Sequence, residues 1–200
     1  MTAEAVVEPG IVAPAMRTWD DLASVVVGCQ ACPELVCSRS SVVVGVCPPA
    51  ARVLFVGEAP GAAEDEAGVP FVGKSGQLLD RLLAEVGLAR DRVAVANVLK
   101  CRPPGNRKPR AVEVENCRPW LQRQIELADP DVVCTLGGTA AEWMFGRGVR
   151  IASLRLSPQS YAGRRVVATY HPSAAIRFGP LGVPMAALRE DLELVARLVS

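Results

Sequence analysis

Four short runs with strand character punctuate this chain, at Val53–Val56, Val93–Leu99, Asp131–Leu136 and Arg164–Thr169, and the segments between them repeat with helical period. Leu78, Leu79, Leu82, Leu83 and Val86 recur three and four residues apart and stop at Gly87, the pattern of a helix with one buried side and a glycine end. Glu113 and Glu115 open a second helix that passes Trp120 and Leu121 to about Leu127. Gly138–Phe145 makes a short helix, and Met185, Leu188, Leu192, Val195 and Leu198 line the last one. Near the start, Thr18 caps a helix with Asp20 and Asp21 in its first turn. Strands alternating with helices predict a three-layer α/β/α domain around a central, mostly parallel sheet. Half of the 200 residues are apolar, which suits a single core; the domain is expected over residues 18–200, with residues 1–17 as a loose tail.

In such sheets chemistry gathers where strands run out into loops. The loop after the first run, Gly57–Asp80 (GEAPGAAEDEAGVPFVGKSGQLLD), combines glycines, prolines, acids and Phe71. Within it, Gly68–Ser75 fits G-x-x-x-x-G-K-[ST], the phosphate-loop pattern. That pattern needs a strand directly before its first glycine, yet here the strand ends near Val56. Glu64, Asp65 and Glu66 just upstream would also repel a triphosphate. Nor does Val132–Leu136 run into a magnesium-binding Asp. A nucleotide hydrolase is the weaker reading.

Net charge is only +1, so any nucleic-acid surface must be local. No run reaches the length of a membrane span and no signal pattern opens the chain, so a cytoplasmic, membrane-free monomer is expected. Seven cysteines without such a signal point to metal or cluster ligation rather than disulfides. Cys29-Gln30-Ala31-Cys32 is the strong pair, a C-x2-C spacing that lets two thiolates reach one centre. Spacing alone leaves the other two ligands open between Cys37 and Cys47, which are near, and Cys101 and Cys117, which are farther. Cys134 sits in a strand and reads as a buried hydrophobe. All-thiolate ligation suits zinc or iron–sulfur about equally.

Taken together, Gly57–Asp80, the stretch Asn97–Arg107 (NVLKCRPPGNR) and His171-Pro172-Ser173 closely resemble the family 4 uracil-DNA glycosylases, the iron–sulfur branch. The resemblance runs from about Trp19 to Val195. It implies the uracil-DNA glycosylase fold and uracil-containing DNA as partner. It also implies a structural [4Fe-4S] cluster on Cys29, Cys32, Cys101 and Cys117, with zinc as the lesser alternative. A related branch carries a histidine in an expanded version of the second motif and is trapped covalently on DNA; the single histidine here is His171, which favours turnover.

Base excision requires a base flipped from the stack, a flat pocket, a group that reads the base edge, stabilisation of the leaving anion and an oriented water. Phe71 is the candidate for stacking and Asn97 for edge reading, since a carboxamide matches uracil O4 and N3–H but opposes cytosine. Ala59, Pro60 and Gly61 would bring backbone close to the base. His171 would hydrogen-bond the departing O2, and Glu58 would orient water and offset sugar charge. Ser173 is a candidate phosphate contact, Glu64 a guard against the thymine methyl, and Asp65 a rival to Glu58. Lys100, Arg102, Arg107 and Lys108, in an acid-free loop stiffened by Pro103, Pro104 and Pro109, are candidate DNA-backbone contacts. The remaining alternative is a module of the same fold that holds DNA or uracil without cleaving it.

Overall fold

The computed structural model describes residues 16–200. In chain order the elements are α1 (Trp19–Val26), α2 (Pro33–Ser38), β1 (Val53–Gly57), α3 (Ala62–Ala67), α4 (Lys74–Glu85), β2 (Ala94–Asn97), α5 (Ala111–Ala128), β3 (Val132–Leu136), α6 (Gly138–Phe145), α7 (Ile151–Leu154), β4 (Gln159–Tyr161), β5 (Arg164–Thr169), α8 (Pro172–Phe178) and α9 (Val183–Val199). The expected tail lies outside the described residues except for Met16 and Arg17; Met16 packs with Leu22, Val26, Val44 and Trp120. Thr18 caps α1 as expected: its hydroxyl accepts from Asp21 N–H while the Asp21 carboxylate accepts from Thr18 N–H.

The sheet has the order β2-β1-β3-β5-β4. Every pairing is parallel except β4 with β5, an antiparallel edge. Its two faces follow from the period of two along each strand. Val53 and Phe55 of β1 join Val95, Val132, Cys134 and Val167 on one face, under Leu78, Leu79, Leu82 and Leu83 of α4 and Leu188, Leu192 and Val195 of α9. Leu54 and Val56 join Ala94, Ala96, Val133 and Val166 on the other, under Leu121 and Ile125 of α5 and Ala140, Trp143 and Met144 of α6. With both faces covered, the strands read as continuous apolar runs, which is why they stood out in the sequence.

From β1 the chain crosses to β2 on one side and later returns to β3 on the other. That reversal puts a crevice at the carboxyl ends of β1 and its neighbours. The phosphate-loop reading fails here. Gly68 ends α3 in the left-handed region, Gly73 is the N-cap of α4, and no strand precedes either. Among the described residues no helix is long and apolar enough to cross a membrane.

Candidate active site and cysteine cavity

The ladder between β1 and β2 continues past the strands, with Val98 N–H donating to Gly57 O and Leu99 N–H to Glu58 O. This fixes Glu58 and Asn97 side by side at the head of a cleft with about 750 Å³ of open space. Glu58, Ala59, Pro60, Gly61, Glu64, Phe71, Asn97, His171 and Ser173 all line it, so three motifs spread over more than a hundred residues of chain meet at one place.

Each side chain is held differently. Asn97 is only 2 % exposed, and its Oδ1 has no hydrogen-bond partner among the described residues. A buried, unpaired carbonyl is costly, and a donor group brought into the cleft would offset that cost. Glu58 accepts a hydrogen bond from the Thr139 hydroxyl, at the start of α6 just beyond β3. His171 caps α8: Nδ1 accepts from Ser173 N–H at 3.1 Å and lies 2.8 Å from Ser173 Oγ. Because Nδ1 is an acceptor, the ring proton of the neutral imidazole sits on Nε2. Burial lowers the His171 pKa from 6.5 to about 4, against the opposing pull of Glu64, so the ring is neutral at physiological pH. Phe71 serves the core and the cleft at once; it packs with the α4 leucines, and its ring centre is 5.9 Å from that of His171.

A second pocket, with about 350 Å³ of open space, is lined by Cys29, Cys32, Cys101 and Cys117. α1 ends just before the first pair, β2 runs out to Cys101, and α5 supplies Cys117. Cys37 is exposed, and neither it nor Cys47 lines the cavity. Burial pushes the Cys117 thiol up to about 12 and also raises Cys101 and Cys32. Such sulfurs become thiolates only beside a cation that offsets their lost hydration. Arg39 reaches Cys101 Sγ at 3.1 Å and Asn116 reaches Cys32 Sγ at 3.5 Å. No three Cys, His, Asp or Glu side chains among the described residues close on a single ion. Four cysteines around one cavity are a donor set that suits zinc or an iron–sulfur group alike.

The profile of the Uracil DNA glycosylase superfamily matches residues 44–192. The type-4 uracil-DNA glycosylase of Thermotoga maritima is 45% identical over 151 residues, 74% of this chain and 78% of the relative. That of Archaeoglobus fulgidus is 40% identical over 186 residues, 89% of each. The chain belongs to the type-4 uracil-DNA glycosylase family. A type-5 uracil-DNA glycosylase of Pyrobaculum aerophilum is also similar, at 35% over 190 residues, 78% of this chain and 84% of the relative.

Several expectations need correction. Lys100 is only 1 % exposed and its Nζ donates to the Asn97 main-chain carbonyl at 2.5 Å, so it cannot touch a DNA backbone. Arg107 borders the cleft, but its guanidinium is locked in a two-pronged bond to Glu113 at 2.6 and 2.9 Å. Arg102 is bonded to Asn106 at 2.7 Å, which leaves Lys108 as the exposed cation of the four, with no ion pair among the described residues. Asp65 cannot rival Glu58: at 2 % exposure, its carboxylate accepts from Ser40 and Ser41 N–H at 3.0–3.2 Å. Glu64 lines the cleft but also accepts from Gly61 and Gly73 N–H, at 3.1 and 2.8 Å, clasping the two ends of the loop.

Sequence reasoning missed three supports. Thr139 stands at the carboxyl end of β3, a position whose rule was applied to the other strands only. Gly57 leaves room for the site, since a Cβ there would meet Phe71 Cζ at 2.7 Å and Asn97 Oδ1 closer still. Gly76 carries the Phe71 turn, where Phe71 adopts φ 56°; a Cβ at Gly76 would fall onto the Phe71 carbonyl, with Phe71 Cα 2.8 Å away. Gly76→Ala is therefore expected to destabilise the protein by about 3 kcal/mol and to displace Phe71. Gly87→Ala, which meets nothing within 4 Å but has φ +75°, should lose about 1 kcal/mol. Thermal melts of the two variants check the difference.

Proposed function

We propose that this chain is a monofunctional DNA-repair glycosylase that flips uracil out of DNA and hydrolyses its N-glycosidic bond, leaving an abasic site. The observation that carries this reading is the convergence of Glu58, Asn97 and His171 on one cleft, two of them in protonation or pairing states ready for a uracil edge. The buried Asn97 Oδ1 accepts from uracil N3–H while Nδ2 donates to O4, and Phe71 offers its ring to the base. As the C1′–N1 bond breaks, its electron pair goes to the uracil ring and charge builds on O2, where the His171 Nε2–H donates. Water adds to C1′. Glu58, steadied by Thr139, orients that water through its other oxygen and offsets the positive charge on the sugar. Lys108 and Ser173 are left to meet phosphates outside the cleft, and Glu64 to crowd a thymine methyl from its fixed place on the loop.

We further propose that Cys29, Cys32, Cys101 and Cys117 hold a [4Fe-4S] cluster, with zinc as the alternative occupant. When bound, the cluster would cross-link α1, the end of β2 and α5, and needs no part in bond cleavage. Cys101→Ala is expected to lose most of its iron and about 3 kcal/mol, a fall in Tm of roughly 6–12 °C for a chain this size, whereas Cys37→Ala keeps both. Iron and sulfide analysis with a thermal melt checks this; normal iron in Cys101→Ala would return Cys37 and Cys47 to the ligand set.

The test of the activity is cleavage of a labelled oligonucleotide carrying one uracil, with cytosine and thymine controls and no added metal. Alkali-labile breakage confined to uracil, over many turnovers, is the expected result. Binding without breakage would make the chain a non-catalytic module instead.

A further inference from the structure

Lys100, only 1 % exposed, is a buried charge that neither the cleft chemistry nor the cysteine ligand set uses. Lysines are almost never buried to this degree without a partner. Among the described residues, the acid that lines the cysteine cavity is Glu113, which Arg107 and the backbone N–H of Arg110 already occupy. What the ammonium does have is the Asn97 carbonyl at 2.5 Å, and the residue lines the same cavity as Cys29, Cys32, Cys101 and Cys117. One residue thus lies against the cysteine cavity while its side-chain tip bonds the residue whose amide lines the base cleft.

We propose that Lys100 is a positioning residue that links the two sites: counter-charge to the thiolate-held group in the cavity, and the donor that pins the strand end carrying Asn97. A group on four thiolates is negative, and the buried ammonium shares with Arg39, bonded to Cys101 Sγ, the task of balancing it. An ammonium so balanced holds the Asn97 carbonyl by a charge-assisted bond, which sets where the Asn97 carboxamide stands relative to Gly57 and Phe71. Loss of the cavity's occupant leaves the cation without its counter-charge, and the end of β2 is the first part of the sheet to loosen. The inference rests on the glycosylase and cluster readings above, but its decisive measurement does not need catalysis.

That measurement is hydrogen exchange on the intact protein as purified and after iron removal by chelation. Peptides spanning residues 94–101 should exchange at least about tenfold faster after removal, while those spanning 132–136, buried in the same sheet, stay protected. Equal change in both, or none in residues 94–101, overturns the link. Lys100→Met, which keeps the length but neither charge nor donor, supplies a second arm. Its residues 94–101 should exchange as fast with iron bound as the chelated wild type does. KM for the uracil oligonucleotide should rise about tenfold with kcat little changed, and affinity for DNA with an abasic site in place of uracil should be kept. Wild-type exchange and wild-type KM in an iron-loaded Lys100→Met protein would overturn the proposal. If that variant fails to fold, the chelation arm decides alone. Inactive wild-type protein would sink the glycosylase reading and leave the exchange result standing.

Discussion

His171→Gln is expected to slow uracil release by about 10²–10³-fold, the usual loss when one donor to a developing oxyanion is removed, with KM for the oligonucleotide close to wild type. The reasoning is local. Nδ1 is fixed as an acceptor by Ser173 N–H, so the only ring donor is Nε2, and its partner gains charge only as the glycosidic bond breaks. Binding before that moment draws little on the bond, and kcat should fall far more than affinity. Single-turnover rates and equilibrium binding separate the two; equal losses would make His171 a mere cap for α8. The ring also predicts a pH signature. Activity should show no inflection near 6.5 and should fall only as pH drops through about 4, where protonation of Nδ1 sets two donors against each other. Stability carries the same sign. Below 6.5 the unfolded chain binds a proton that the native ring refuses down to about 4, so the native state loses stability as pH falls through that window. His171→Gln should remove that part of the slope, which melts across the window would reveal.

Much of the fold was legible because its central strands are buried on both faces and its long helices on one. Val53–Val56 and Val132–Leu136 announce themselves as apolar runs, and the leucines of α4 as a helical stripe. β4 was silent: Gln159-Ser160-Tyr161 is a three-residue polar edge, held by pairing with β5 rather than by burial. α3 hid within the loop because its one buried residue is an aspartate, so it has no apolar stripe to detect. Its glycine ends and the Glu64 clasp were visible only as loop composition. The members of the candidate site were readable as strand-end residues, and they do converge. Their neighbours' roles were not readable, because charge in a sequence does not say which way a side chain turns. Lys100 and Arg107 look like a DNA-facing run until burial and Glu113 claim them. Asp65 and Glu64 are adjacent acids, yet one faces Ser40 and the other the cleft rim.

Asn97→Ala should cut kcat/KM for uracil by about 10²–10³-fold. Two hydrogen bonds to the base edge disappear, and N3–H and O4 are left buried against a methyl group. Together this amounts to roughly 3–4 kcal/mol. In the proposed site, cytosine would present a donor and an acceptor in the reversed order, each opposing an Asn97 group of its own kind. The alanine removes that opposition along with the match, so uracil falls toward cytosine and the ratio between them collapses rather than merely shifting. The substitution spares the backbone: the Lys100 bond is to the Asn97 carbonyl, and Gly57 and Phe71 gain room instead of losing it. The variant should therefore fold, keep its iron and bind abasic DNA as before. Rates on matched uracil, cytosine and thymine oligonucleotides test this directly. Retained selectivity in a folded Asn97→Ala protein would move base reading to the backbone of Ala59–Gly61, which lines the cleft just beyond the head of β1.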